Sequence, residues 1–360
     1  MIIVKSRYFV FFISATLILC CLFVIDLLQG SVHISVNDFI HEILFGDNQS
    51  INASIIYQIR LPKAITAILA GMALSVSGLQ LQTIFRNPLA GPHILGISAG
   101  AGFGVAMLIM GITLINPLLN SFFSNNTPVA NFIQSSLKNM QVNSFSIIIA
   151  ASLGAASVLL LIFIIALRIK DIMTLLIIGI MIGSALSALV SVLQYFSNET
   201  NLKIFVIWTM GSLSGVTLNQ LQQITPVILV GLLISFISSK KLNIMQLGEN
   251  YAKSMGLNIS TTIFTVFFST SILSGTITAF CGPIGFIGIT VPHITRLILK
   301  TSNHLVLIPA TMLLGAIIML LSDLISMAPG SNITLPINSV TSLLGIPIVL
   351  LIIIKSYNKR

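Results

Sequence analysis

Apolar runs long enough to cross a bilayer recur along this chain, parted by short polar breaks. A membrane-crossing helix needs about 20 predominantly apolar residues. The pattern predicts ten spans, at 8–28, 62–83, 94–111, 146–167, 172–196, 223–239, 260–280, 284–299, 305–326 and 337–354. Two uncharged runs exceed one span. Positions 204–239 are polar in the middle (Gly211, Ser212, Asn219, Gln220, Gln222, Gln223), so only the second half spans. Positions 254–295 carry no Lys, Arg, Asp or Glu, and Gly282-Pro283 divides them into two helices. The stretch 112–144, with Pro117, Pro128 and many Asn and Ser, reads as an exterior loop.

Two regions are apolar yet broken by Gly, Pro and a few polar groups: 60–104, with RLPK, FRNPLAGP and LGISAGAG, and 282–296, GPIGFIGITVPHITR. Breaks at membrane depth are tolerated only where protein or a water-filled path shields the freed backbone groups. That favours a transport path over a simple anchor. Small residues recur every four positions at Gly96, Gly100 and Gly104, a face for close helix packing. Gly179, Gly183, Ser187 and Ser191 repeat the spacing on the fifth span. There, packing and lining of a solute path are both open.

Composition narrows the class. The chain of 360 residues is 56% hydrophobic and 7% charged, with a mean hydropathy of +1.06. Soluble domains carry about a quarter charged residues, so an ordinary globular protein is excluded. The net charge of +9 does not mark a nucleic-acid binder, because the cations sit at the ends of apolar runs. With the N-terminus inside, thirteen of the 17 Lys and Arg fall on the cytoplasmic side, and only Arg60, Lys63, Lys138 and Lys203 lie outside. Both termini are then cytoplasmic. Cys20, Cys21 and Cys281 lack metal spacing and read as small soft core residues. The first span follows Lys5 and Arg7 without a small-x-small cleavage site and reads as a retained helix.

Several chemistries are missing. No Gly-Lys dipeptide occurs, so the chain holds no phosphate-binding loop of the ATPase type. His41-Glu42 lacks the second histidine of a zinc-protease helix. Of eight acids, only Asp26 and Asp323 approach the membrane, each near a helix end. A proton-driven carrier needs ionisable groups near mid-membrane, so energy for uphill transport is expected from another subunit. His93 and His293, beside prolines, read as packing histidines, and Arg86 and Asn87 before Pro88 as a helix cap.

The loop after the sixth span, KLNIMQLGENYAKSMGLN at 241–258, follows L-G-x-x-x-A-x-x-x-G, with Leu247, Gly248, Ala252 and Gly256. Its small residues suit a short helix, a tight turn and close approach of another protein. Glu249 and Lys253 stand four apart, the spacing of a helical ion pair.

In order, RLPK, FRNPLAGPHILGISAGAG, LGENYAKSMG, GPIGFIGITVPHITR and LP…TSLLGIP resemble the FecCD family of permeases across roughly residues 8 to 355. These are the membrane subunits of type II ABC importers for iron–siderophore complexes, haem and cobalamin. The resemblance implies an all-α integral membrane protein of about ten helices, some short or broken, forming one permease domain over 1–360. It implies pairing with a second copy or a paralogue, and a solute path on the dimer axis lined largely by the fifth helix. It implies two copies of an ATP-binding subunit docked on the loop at Leu247, Gly248, Glu249, Ala252, Lys253 and Gly256, and a solute-binding protein on the outer face. The permease itself is then no enzyme and needs no cofactor, since ATP is used by the partner. Membrane lipid is the remaining partner.

Arg60 and Lys63 at the outer mouth have two readings: interfacial anchors, or salt bridges to the binding protein's carboxylates, which the resemblance favours. Met327, Thr334 and Asn338 depart from the Arg, Glu and Gly common in the family, while Asp323 and Leu335-Pro336 are kept. The rivals are a secondary, ion-coupled carrier and a non-transporting membrane scaffold.

Overall fold

Backbone N–H and C=O groups inside a bilayer have no water to bond, so the apolar runs must satisfy them within helices. The computed structural model describes residues 2–30, 32, 34–45, 50–111, 143–169, 171–327 and 334–357. Among the described residues there is helix and turn but no strand. The predicted exterior loop at 112–144 lies, but for its last two residues, outside them.

All ten predicted spans appear as helices. They are α1 (Ile2–Leu28), α3 (Leu61–Ile84), α4 (Ile97–Ala106, continued by a π-helical turn to Gly111), α5 (Ser144–Arg168), α6 (Ile172–Tyr195), α8 (Leu218–Ile237), α11 (Ile259–Cys281), α12 (Ile287–Leu299), α13 (His304–Ser326) and α14 (Ile337–Tyr357). Between them lie α2 (Val36–Phe45), α7 (Glu199–Thr209), α9 (Ser239–Met245) and α10 (Glu249–Ser254). Among the described residues, seven helices are long and apolar enough to cross a membrane, and those in 97–111, 287–299 and 337–351 are shorter. Run 204–239 divides as its polar middle requires, with α7 ending at Thr209 and α8 starting at Leu218 under the Thr217–Gln220 capping box.

The segment Ile51–Ile84 forms the axis of the bundle, with 83% of its apolar window buried. It reaches α13 and α12 through glycines. A Cβ on Gly71 would overlap the Gly315 carbonyl, and one on Gly78 the Gly288 carbonyl. The repeat on the third span does the packing expected of it: a Cβ on Gly100 would stand 2.6 Å from the Gly154 oxygen, and one on Gly104 would overlap the Ala150 oxygen, both on α5. By contrast, only 6% of the α1 window and 11% of the α6 window are buried. Cys20 and Cys21 on α1 are exposed, so only Cys281 has the expected core role.

The helix breaks gather around Gly282-Pro283. Gly282 (φ 75°) and Gly211 (φ 72°) take backbone angles an L side chain rarely adopts. Ser212 N–H donates to the Cys281 carbonyl at 2.8 Å, and Gly285 N–H to Asn338 Oδ1 at 2.9 Å. The freed backbone groups are thus met by protein, as membrane depth demands.

Candidate coupling interface

The 241–258 segment folds as two short helices, α9 and α10, turned by Gly248 at φ 119°. Gly256 (φ 81°) closes α10: its N–H donates to the Lys253 carbonyl at 2.9 Å, and Leu257 N–H to the Ala252 carbonyl at 3.0 Å. This is the Schellman pattern, in which glycine supplies the left-handed residue. The two glycines therefore serve the turns of this segment. Ala252 is fully buried within the chain. The expectation of smallness to admit a partner is corrected for Ala252, which this chain itself buries; at Gly248 and Gly256 the positive φ already requires glycine.

The outward face is different. Leu247, Tyr251 and Met255 are 62%, 56% and 54% exposed; Leu247 lies in the turn before Gly248, and Tyr251 and Met255 stand four apart on α10 and its C-cap. Sequence reasoning named Leu247 and missed Tyr251 and Met255; their spacing within a polar loop was the available signal. Glu249 and Lys253 do not form the anticipated pair. Among the described residues, the ion pair present is Lys63–Asp323.

Polar contacts tie α9 to the spanning helices. Asn243 Nδ2 donates to Asn303 Oδ1 at 2.9 Å, and Gln246 Nε2 to the Ser302 carbonyl at 2.9 Å. His304, 1% exposed, sits between them and α3: Nδ1 lies 2.7 Å from Gln246 Nε2 and 2.9 Å from Asn243 Oδ1, and Nε2 lies 2.8 Å from Thr83 Oγ1. The tautomer decides which contacts donate. Arg86, held at φ 47°, donates from Nη2 to the Met245 carbonyl at 3.3 Å. A load on α10 therefore meets the ends of α3 and α13 through α9. His293 Nε2 contacts the Pro88 carbonyl at 2.9 Å, a packing role as expected, and His93, though on the surface, hydrogen-bonds the Ile284 backbone. No group of three or more His, Cys, Asp or Glu side chains that could hold a metal occurs among the described residues.

At the far end of α3, about 36 Å away at 1.5 Å per residue, the two cations of RLPK turn inward. Arg60 is 5% exposed and Lys63 8%. The Arg60 guanidinium donates to the Leu27 and Leu28 carbonyls at 2.8 and 2.7 Å and to that of Val32, closing the end of α1. Lys63 Nζ stands 2.9 Å from Asp323 Oδ2, with Asp26 also buried in the cluster. Salt bridging of these cations to a docked protein is therefore corrected. Both are occupied inside the chain, where a buried charge needs a partner.

On α6, the Gly–Ser repeat splits. A Cβ on Gly179 would stand 2.7 Å from the Ile94 carbonyl, and one on Gly183 3.5 Å from Gly96 Cα, so both pack on the third span. Ser187 and Ser191 lie on the exposed side, with Ser191 Oγ donating to the Ser187 carbonyl at 3.0 Å.

The sequence model of the FecCD transport family matches residues 17–355. The chain belongs to the FecCD transport family. It is similar to the vitamin B12 import system permease protein BtuC of Salmonella arizonae, 33% identical over 84% of this chain and 83% of that one. It is also similar to the molybdate import system permease protein MolB of Haemophilus influenzae, 31% identical over 83% and 80%. A solved structure described as an inward-facing conformation of a putative metal-chelate type ABC transporter covers 96% of this chain and 99% of its own, at TM-score 0.79 and 30% identity. As a FecCD protein the chain is a multi-pass ABC importer permease subunit. One of its departures from the common family pattern has a visible structural role. Asn338 takes the Gly285 N–H on its side chain and donates its own N–H to the Met210 carbonyl at 3.3 Å. This binds the start of α14 to the Gly282 break.

Proposed function

We propose that this FecCD permease moves iron–siderophore, haem or cobalamin-type chelates across the cytoplasmic membrane, driven by ATP hydrolysed in a separate subunit. Two ATP-binding subunits dock on the exposed Tyr251 and Met255 of α10 and its C-cap and on Leu247 in the turn before it, and a solute-binding protein delivers cargo at the opposite end. The observation that carries this reading is that apolar face, left uncovered on a segment braced against α3 and α13. A second copy or a paralogue completes the path, with the exposed side of α6, including Ser187 and Ser191, turned toward it. Both termini lie in the cytoplasm, in line with the charge distribution. The protein itself carries out no catalysis and uses no cofactor.

The relatives' names cover both a corrinoid and a small oxyanion, so the cargo must be tested directly. Purification from the native membrane is expected to bring down an ATPase of phosphate-loop type. A deletion strain is expected to lose growth on one iron source among a panel, or uptake of haem or cobalamin. Uptake that survives ATP depletion and collapses with the proton gradient would establish the ion-coupled rival instead.

A further inference from the structure

Between α5, α10 and α11 lies a cavity of about 710 Å³ whose apolar walls take no part in the coupling reading. Its walls are apolar and aromatic: Leu159, Leu160, Phe163, Ile263, Phe264 and Phe268. Phe264 sits between Phe163 and Phe268, at ring separations of 4.8 and 6.0 Å. Leu160, Phe264 and Phe268 are 61%, 45% and 41% exposed, so the rest of the chain leaves this wall open to the side of the bundle. The size falls in the roughly 300–1,000 Å³ range of small-molecule sites.

At the same cavity stand Glu249 and Lys253 of α10, with Ser260 and Thr261 of the first turn of α11. The acid and the base are four residues apart, about 5–6 Å between Cβ atoms on a helix. They make no ion pair with each other, and among the described residues neither side chain has a hydrogen bond. An apolar slot flanked by membrane-spanning helices, with one free anion and one free cation at its polar edge, complements a molecule of matching layout.

We propose that this cavity binds a phospholipid whose headgroup carries a primary ammonium beside its phosphate, as in phosphatidylethanolamine. An acyl chain lies among the phenylalanines, the phosphate meets Lys253, and the ammonium meets Glu249. A primary ammonium donates charge-assisted hydrogen bonds to a carboxylate, whereas the trimethylammonium of phosphatidylcholine has no N–H to donate. The choice of headgroup thus falls on Glu249. Bound there, the lipid braces α10 against α5 and α11, so the membrane itself helps to hold the segment that receives the ATPase. The inference rests on reading α5 and α11 as membrane spans, and is independent of what the permease imports.

The test uses the full-length permease, purified in detergent and stripped of lipid. It is titrated with phosphatidylethanolamine, phosphatidylcholine or phosphatidylglycerol of identical chains, with retained lipid counted by native mass spectrometry. The expected result is about one phosphatidylethanolamine per chain, held about tenfold more tightly than phosphatidylcholine. Glu249→Gln should abolish that preference without weakening phosphatidylcholine. Lys253→Gln should weaken both lipids, and Ala156→Trp, which fills the slot from an exposed position, should displace both. Equal retention of the two lipids by the unaltered protein overturns the proposal, as does a preference that survives Glu249→Gln. Tighter binding of phosphatidylglycerol, or loss of bound lipid when two permease chains pair, likewise overturns it, the latter by giving the cavity to a second copy. None of these outcomes bears on import, which is read by uptake.

Discussion

Neutralising Lys63 should destabilise this permease from within. Its Nζ lies 2.9 Å from Asp323 Oδ2, and both residues are under a tenth exposed. At an effective dielectric near 20, unit charges at that distance attract by about 6 kcal/mol. Desolvation takes back several kcal/mol per ion, so the intact pair contributes little net stability. Removing one partner is different, because Lys63→Met leaves Asp323 and Asp26 buried beside only Arg60. The Arg60 guanidinium is already spent on the carbonyls of Leu27, Leu28 and Val32. The expected cost is about 3–5 kcal/mol, or roughly 5–10 °C in the apparent midpoint of thermal unfolding. Neutralising the acids as well, in Lys63→Met with Asp26→Asn and Asp323→Asn, should recover most of that loss. The assay is the fraction of detergent-purified permease that stays monodisperse after graded heating. A single variant as stable as the unaltered chain, or a triple variant no better than the single, would refute the buried-charge argument. By the same reasoning, charge reversal at Arg60 and Lys63 lowers the amount of folded permease before any docking is measured.

Ala252→Trp should reduce folded permease because the site is fully buried, with overpacking costing about 1–3 kcal/mol; Tyr251→Asp with Met255→Asp should leave the permease folded while the ATPase no longer co-purifies. Unaltered ATPase retention in that double variant would remove the α10 face from the interface. Gly104→Val forces α4 off the Ala150 carbonyl, and cross-linking of cysteines placed on α4 and α5 should fall. Asp171 caps α6, accepting from Thr174 N–H at 2.8 Å, and the Thr174 hydroxyl and N–H hold its carboxyl below the usual carboxylate range. A depressed value in the folded state means the cap stabilises above about pH 4 and fades as pH falls through the depressed value. Hydrogen exchange in the first turn of α6 should therefore be faster in Asp171→Ala than in the unaltered protein at neutral pH, and the difference should shrink in strong acid. Cysteine at position 203 should react with an impermeant reagent from outside and cysteine at 241 should not; the reverse pattern would invert the topology.

The spans were legible because a single physical variable, the length of an apolar run, decides them. Even the subtle cuts followed local chemistry: the amides after Thr217 cannot sit in lipid unpaired, and Gly282-Pro283 cannot continue a helix. The shortness of α12 was less visible. Its boundary depends on Gly285 N–H finding Asn338 fifty-three residues later.

What the sequence left open was the direction in which a residue faces. A cation at a helix end has the same local sequence whether it meets water, a partner or a buried acid. Asp323, which turns Lys63 inward, lies 260 positions away, and Asp26, on a third helix, completes the cluster. The 241–258 loop shows the converse. Its glycines and alanine stand out in the sequence, yet the positive φ of Gly248 and Gly256 and the burial of Ala252 already account for their smallness. The proposed contact surface falls to the large residues beside them, where bulk is tolerated because nothing in this chain covers it. Smallness in a motif thus points to where a chain must close on itself, and the partner's footprint is sought among the large exposed residues at helical spacing beside it.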